Sequence, residues 1–425
     1  MKKIALSLIF QQGILPVLAG GMLFALSLQS HAQSSEGQVL FATHPNDSAP
    51  YRIPALAQTQ RGDILYFTDY RPCGSDIGYG RVDQHYRISK DGGLKWGPER
   101  VLIQGSGVKG ARDCGFGDPA LVADRTSKEV LLISGCGNAA YPLATTTRQN
   151  PMRMALFRSF NGGKKWQKWQ EITEQIYALF DHSSHGEAQS LFAASGKIMQ
   201  SRSVRLHQYY RLYMAILVRG QGNFVLYSDD FGRQWQVLGG VEEQPCPKGD
   251  EAKCEELPDG SLLLSSRKGG GRFFNIFRFS DVDKAQGHWQ TCSASQITNN
   301  GVIAKDNTTN GEILLVEAIR QSDGKKVPLL LQSLPLGPGR SHVGIYYKPL
   351  SSSEDYATPA VLAANWGSPY QVTALPSAYS TFIALHNGKI AMAWEEETFG
   401  KQYTEMFRLL TIEEITGGKY KNIAK

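Results

Sequence analysis

The chain has 425 residues, 41% hydrophobic and 20% charged, with a formal net charge of +6. This is ordinary globular composition, too apolar for a disordered chain. Its Lys and Arg are scattered without basic runs, which argues against nucleic-acid binding. The 44 Gly, 18 Tyr and 18 Phe sit among many short alternating runs, which predicts turn-rich β structure.

Taken from the N-terminus, Lys2 and Lys3 precede an apolar stretch that runs to about Leu28, and Ser30-His31-Ala32 has the small residues of a cleavage site. Residues 1–32 therefore read as an export signal, with a mature chain of residues 33–425. A retained membrane anchor is the rival reading, because the stretch is long and is broken by Gln11 and Gln12. No second run is long enough to cross a bilayer, so the mature chain is expected to be periplasmic or secreted, without a membrane span. Export permits disulfides among the six cysteines, and only Cys246 and Cys254 look like a local pair. CxxC spacing and histidine clusters are lacking, so a zinc site is not expected; no other metal and no cofactor are expected.

The first informative segment is Tyr51-Arg52-Ile53-Pro54, an arginine at the start of an apolar strand that returns as Ile64-Leu65-Tyr66-Phe67. Pro54 restricts it to a strand start or an edge, and a permanently charged guanidinium at a hairpin mouth is a ready anion receptor. A turn pattern Ser-x-Asp-x-Gly-x-x-Trp then recurs at Ser89–Trp96, Ser159–Trp166 (with Asn161 for Asp) and Ser228–Trp235, with a decayed copy at Ser280–Trp289. Asp or Asn bonds its own backbone in such turns, and the Trp is expected to pack between neighbouring sheets. These copies are structural.

Six hairpin-like segments share one outline, beginning near Tyr51, Asp118, Glu187, Glu251, Asn300 and Tyr379. At about 65 residues per unit this predicts radial repetition: an all-β fold, a six-bladed β-propeller of four-stranded antiparallel sheets. Equivalent strand ends converge at one pole of a propeller. Arg52, Asp118, Glu187, Glu251 and Tyr379 would meet there, with Arg71, Arg267, Arg320 and Glu395 from the ends of the following strands.

With the Arg-Ile-Pro start and the repeated boxes, the chain resembles the bacterial exo-sialidases of the six-bladed propeller family over essentially its whole mature length. The resemblance implies a retaining glycoside hydrolase that removes terminal sialic acid from glycans through a tyrosyl-enzyme intermediate. Arg52 matches the first arginine of a carboxylate-binding triad and Arg267 the second. Arg340 in Gly339-Arg340-Ser341 resembles the third, with Arg320 as its rival. Asp76 matches the acid/base, Tyr379 the nucleophile and Glu251 its glutamate partner, with Glu255 and Glu256 as close decoys. Glu395, next to Glu396 and Glu397, resembles the glutamate that orients Arg52. Arg71 and Asp118 resemble pocket residues on the ring-hydroxyl and N-acetyl side.

Sialic acid carries its carboxylate on the anomeric carbon, so forked guanidinium hydrogen bonds suit it and a neutral phenol avoids like-charge repulsion during attack. Trans-sialidases, including intramolecular ones, would use the same residues, and a sialic-acid-binding lectin would need Asp76, Glu251 or Tyr379 to be lost. Linkage preference is expected to lie in rim loops such as residues 141–150 and 182–185. A monomer is expected.

Overall fold

The structure, a computed structural model, describes residues 37–47, 49–306, 309–400 and 402–423. The proposed export signal lies outside them. Six separate sheets form a six-bladed propeller. Blade 1 is an antiparallel meander of Tyr51–Gln58, Ile64–Tyr70, Asp83–Ser89 and Arg100–Ile103. The first strands of blades 2, 4, 5 and 6 are Phe116–Ala123, Ala252–Glu256, Glu312–Arg320 and Ser377–Ala384. The second strands Val130–Cys136 and Ile390–Glu396 are buried along their whole length. Their near-continuous apolar runs follow, because another blade covers each face.

Two sheets have four strands and four have five, the additions being short pieces on an otherwise antiparallel four-stranded plan. Blade 6 is completed from the other end of the chain, where Gln38–Phe41 pairs with Thr404–Leu410. The boxes fold as anticipated. In the first, Ser89 Oγ accepts from Gly93 N at 2.8 Å and Asp91 Oδ1 accepts from Lys95 N at 2.9 Å. Asn161 accepts the same bond from Lys165 N at 2.8 Å. Each Trp reaches back to the preceding blade. Trp96 meets Phe407 edge-on at 4.9 Å, Trp166 meets Phe67 at 5.6 Å, and Trp289 in the decayed copy donates to Leu238 O at 3.1 Å.

Three expectations need correction. The first strand of blade 3 does not start at Glu187, which is exposed; it is split into Leu191–Ala193 and Met199–Leu206. Between the pieces, Gly196–Lys197 pairs in parallel with blade 2. Gly196 has φ +98°, and a Cβ there would stand 2.5 Å from Lys253 Nζ, so the break admits a buried lysine. In blade 5 the Asn310-Gly311 turn precedes the first strand instead of following it, so Asn300 lies in a connecting loop. Arg320 consequently ends a first strand, at the pole opposite the ends of the second strands, where it contacts Asp323 and Ser351. Finally, Cys246 faces Cys292, with the sulfurs 3.3 Å apart. Cys254 is held in the ladder opposite Leu264 and does not pair with it.

Candidate active site

Three first strands open on the same irregularity. Pairing slips between Arg52 and Ala55, between Gly117 and Ala120, and between Ser377 and Ser380. Ile53 and Asp118 sit at φ 64° and 56°, a left-handed conformation that is a genuine outlier for β-branched Ile53. Pro54 and Pro119 follow them, and proline is tolerated inside a sheet only at edges, starts or bulges. Such bulges re-aim side chains. Here they turn Arg52, Asp118 and Tyr379 into one cup of about 510 Å³.

Eight of the nine sequence-predicted site residues line that cup: Arg52, Arg71, Asp76, Asp118, Glu251, Arg267, Arg340 and Tyr379. The ninth, Glu395, lies directly beneath it. Tyr379 is at the centre. Its hydroxyl donates to Glu251, with both carboxylate oxygens at 2.9 Å, and Arg267 Nη1 lies 3.0 Å from Glu251 and 3.5 Å from the phenol oxygen. The Arg52 and Arg340 guanidiniums stand 5.8 and 5.5 Å from the Tyr379 ring centre. Three guanidiniums thus surround one phenol. Among the described residues Arg340 has no carboxylate within ion-pair reach. Its turn is tied to the Tyr379 strand by Ser377 N donating to Arg340 O at 3.0 Å.

Burial raises the Tyr379 phenol well above its ordinary value, and the Glu251 carboxylate adds to this. Burial also raises Glu251, with Arg267 working against it. Burial thus makes Glu251 a stronger base, and the Tyr379 phenol a weaker acid, than either is in water.

Glu395 is fully buried and accepts from four donors: Arg52 Nε at 2.8 Å, Arg52 Nη2 at 3.2 Å, Ile53 N at 2.7 Å and Tyr379 N at 3.1 Å. One carboxylate thus fixes the first arginine, its bulge and the backbone of the tyrosine. Its neighbours point elsewhere: Glu396 accepts from Trp394 Nε1 at 2.9 Å. Likewise Glu255 pairs with Lys197 and Arg202 and Glu256 with Ser201, away from Tyr379.

On the blade 1–blade 2 side, Arg71 contacts Asp69 at 2.8 Å, Asp76 at 3.3 Å and Asp118 at 3.5 Å. Asp76 is well exposed on its loop, its Oδ1 accepting from Ile77 N at 2.8 Å. Asp118 is pushed well up by burial and then by Asp76 and Asp69. Ile77, Met152, Phe192 and Leu217 complete an apolar wall.

Three contributors escaped sequence reading. Asp69 accepts from Arg71, from Gln84 at 2.5 Å and from Asp118 N at 3.1 Å, and burial pushes it up to about 6. The signal was available: a carboxylate inside the apolar strand Ile64–Tyr70. Tyr403 stacks under Arg52 with 4.8 Å to its ring centre, and Asp250 lies 3.5 Å from Arg267 Nε. Neither of these two has a local pattern that marks it.

The fold and the site together define a six-bladed propeller with a guanidinium-rich cup built around a tyrosine–glutamate pair. No family profile matches the chain. A curated sialidase of Micromonospora viridifaciens is 27% identical over 365 residues, covering 82% of this chain and 50% of its own length. One of Bacteroides fragilis (strain YCH46) is 24% identical over 307 residues, covering 66% and 52%. The chain thus spans about half the length of the curated relatives it matches. Among solved structures, the Hadza microbial sialidase Hz136 superimposes with a TM-score of 0.65 at 21% identity, covering 86% of this chain and 66% of that one. The intramolecular trans-sialidase from Ruminococcus gnavus gives 0.67 at 16% identity, covering 90% and 99%. These likenesses agree on the fold, and in sequence the chain is similar to bacterial sialidases.

Proposed function

We propose that the chain is a retaining exo-α-sialidase, a glycoside hydrolase acting on terminal sialic acid of glycans. The observation that carries this is the buried Tyr379 hydroxyl 2.9 Å from both oxygens of Glu251, ringed by Arg52, Arg267 and Arg340. The three guanidiniums bind the sugar carboxylate, and Arg340, with no carboxylate of its own, gains most from the substrate. Tyr379 attacks the anomeric carbon while Glu251 takes its proton. Carboxylate nucleophiles serve most retaining glycosidases, and tyrosine is the sialidase exception. Asp76, on its exposed loop, protonates the leaving oxygen and then activates the water that releases the sugar. Arg71 and Asp118 face the ring substituents. Curated relatives named as sialidases support the activity.

The test is a 2,3-difluorinated sialic acid, whose fluorines slow formation and breakdown of a glycosyl-enzyme. A mass adduct mapped to Tyr379 is expected, and an adduct elsewhere, or none during full turnover of ordinary substrate, refutes the assignment. Hydrolysis, transfer and intramolecular transfer share these residues, and the free sugar, a new sialoside or an anhydro sugar among the products separates them. Tight sialoside binding without cleavage would mark a lectin. Residues 1–32 serve as an export signal on this reading, and residues 33–425 form the catalytic propeller. No helix of the described residues is long and apolar enough to cross a membrane.

A further inference from the structure

We propose that Cys246 and Cys292 form a disulfide that anchors the turn leading into Glu251. Their sulfurs touch at 3.3 Å although the residues are 46 apart in sequence. Cys246 is buried, and Cys292 is half-buried at the outer part of the same blade, so the pair can be reached from outside through Cys292. It sits behind the catalytic turn. Gly249 N donates to Cys246 O at 3.0 Å, and a Cβ on Gly249 would stand 2.8 Å from the Cys246 sulfur. Asn223 Nδ2 and Ser266 Oγ both donate to Asp250 O, and Glu251 follows immediately. On the other side Ser293, next to Cys292, pairs with Phe274 in the blade 4 sheet. A covalent bond here ties the entry of the blade's first strand to its outer edge.

This inference rests on export to an oxidising compartment, where such bonds persist. A small-molecule or protein disulfide acts as oxidant. The Cys292 thiolate attacks one of its sulfurs, forming a mixed disulfide and releasing one donor thiolate. The Cys246 thiolate then displaces the second, so two protons leave the protein and two electrons pass to the donor.

The experiment is tryptic mapping of the full chain made in an oxidising compartment and alkylated without reductant. A linked pair of residues 234–248 and 285–305 is expected. Recovery of both peptides separately alkylated overturns the proposal, as does linkage of 234–248 to the Cys254 peptide, 254–267. Reductant should also lower the Tm of the wild-type protein by roughly 5 °C, given the length of the closed loop. The Cys246→Ser/Cys292→Ser double variant should not respond, and an equal fall in both proteins overturns the inference. Sialidase turnover is not the readout, so failure here is distinguishable from failure of the proposed activity.

Discussion

Replacing Glu395 with Gln is the most demanding perturbation of the proposed clamp, because one side chain holds three things at once. Its two oxygens accept from Arg52 Nε and Nη2, from Ile53 N and from Tyr379 N. Gln keeps the shape but turns one oxygen into a donor, so at least one of these donors faces another donor. It also leaves Arg52, whose side chain is only 18% exposed, without its carboxylate. Removing one partner of a buried ion pair costs about 3–5 kcal/mol, here toward the lower end because Arg52 reaches the cup. If about 3 kcal/mol falls on the geometry of Arg52 and Tyr379, kcat/KM drops by roughly 10²-fold. A KM rise should carry much of the loss, because the first clamp arginine is released. Steady-state hydrolysis of a fluorogenic sialoside, with a urea melt of the same protein, measures both effects. A variant with kcat/KM within threefold of wild type and an unchanged melt would refute the claim that Glu395 positions Arg52.

Asp76→Ala should lose roughly 10²–10⁴-fold on sialyl-lactose, whose leaving group needs a proton. It should lose far less on an aryl sialoside whose leaving group departs unaided, and equal losses on both would deny Asp76 the acid role. Glu251 must be ionised to accept the phenol proton, and burial raises it, so the acid limb of the kcat/KM profile should lie above the ordinary glutamate value near 4.5. A limb at or below that value counts against it. Glu405 is fully buried, pairs across the strands with Glu395 and accepts from the Tyr66 hydroxyl at 2.7 Å. Burial raises it well above its usual range, and the Glu395 charge adds to this. Its folded form therefore keeps a proton that the unfolded chain releases. The linked stability is complete below the unfolded value near 4.5 and is lost as pH rises toward the folded one. Wild-type Tm should fall across that interval relative to Glu405→Gln, and parallel Tm–pH curves would contradict this.

Much of the site could be read from the chain because its bulges are written in proline. Ile53-Pro54 and Asp118-Pro119 mark strand starts where the ladder cannot be regular, and these are the positions that turn inward. Glutamate runs were harder. Among Glu395, Glu396 and Glu397, and among Glu251, Glu255 and Glu256, only strand register decides which carboxylate faces the cup. Register is set by neighbours far away in sequence. Blade 3 misled because its first strand is broken around Gly196 to accept Lys253, a tertiary requirement with no local pattern. Blade 5 misled because Asn310-Gly311 has the composition of a hairpin turn but stands one strand early. Asp69 shows in the sequence only as a carboxylate inside the apolar run Ile64–Tyr70, a pattern that does not say which partners it holds.

The closure of blade 6 by Gln38–Phe41 has a consequence for when the molecule can work. Arg52 belongs to the first blade, while Tyr379 and Glu395 belong to the last. The contacts that define the cup therefore span the seam of the ring. A chain emerging N-terminus first carries the first clamp arginine early and holds it without Glu395 until the sixth blade has been made. On the proposed reading, competence then arrives in one step, when Gln38–Phe41 pairs with the sixth blade. Activity would thus report ring closure itself, and a nick or slip at the seam should silence the site while five blades remain folded.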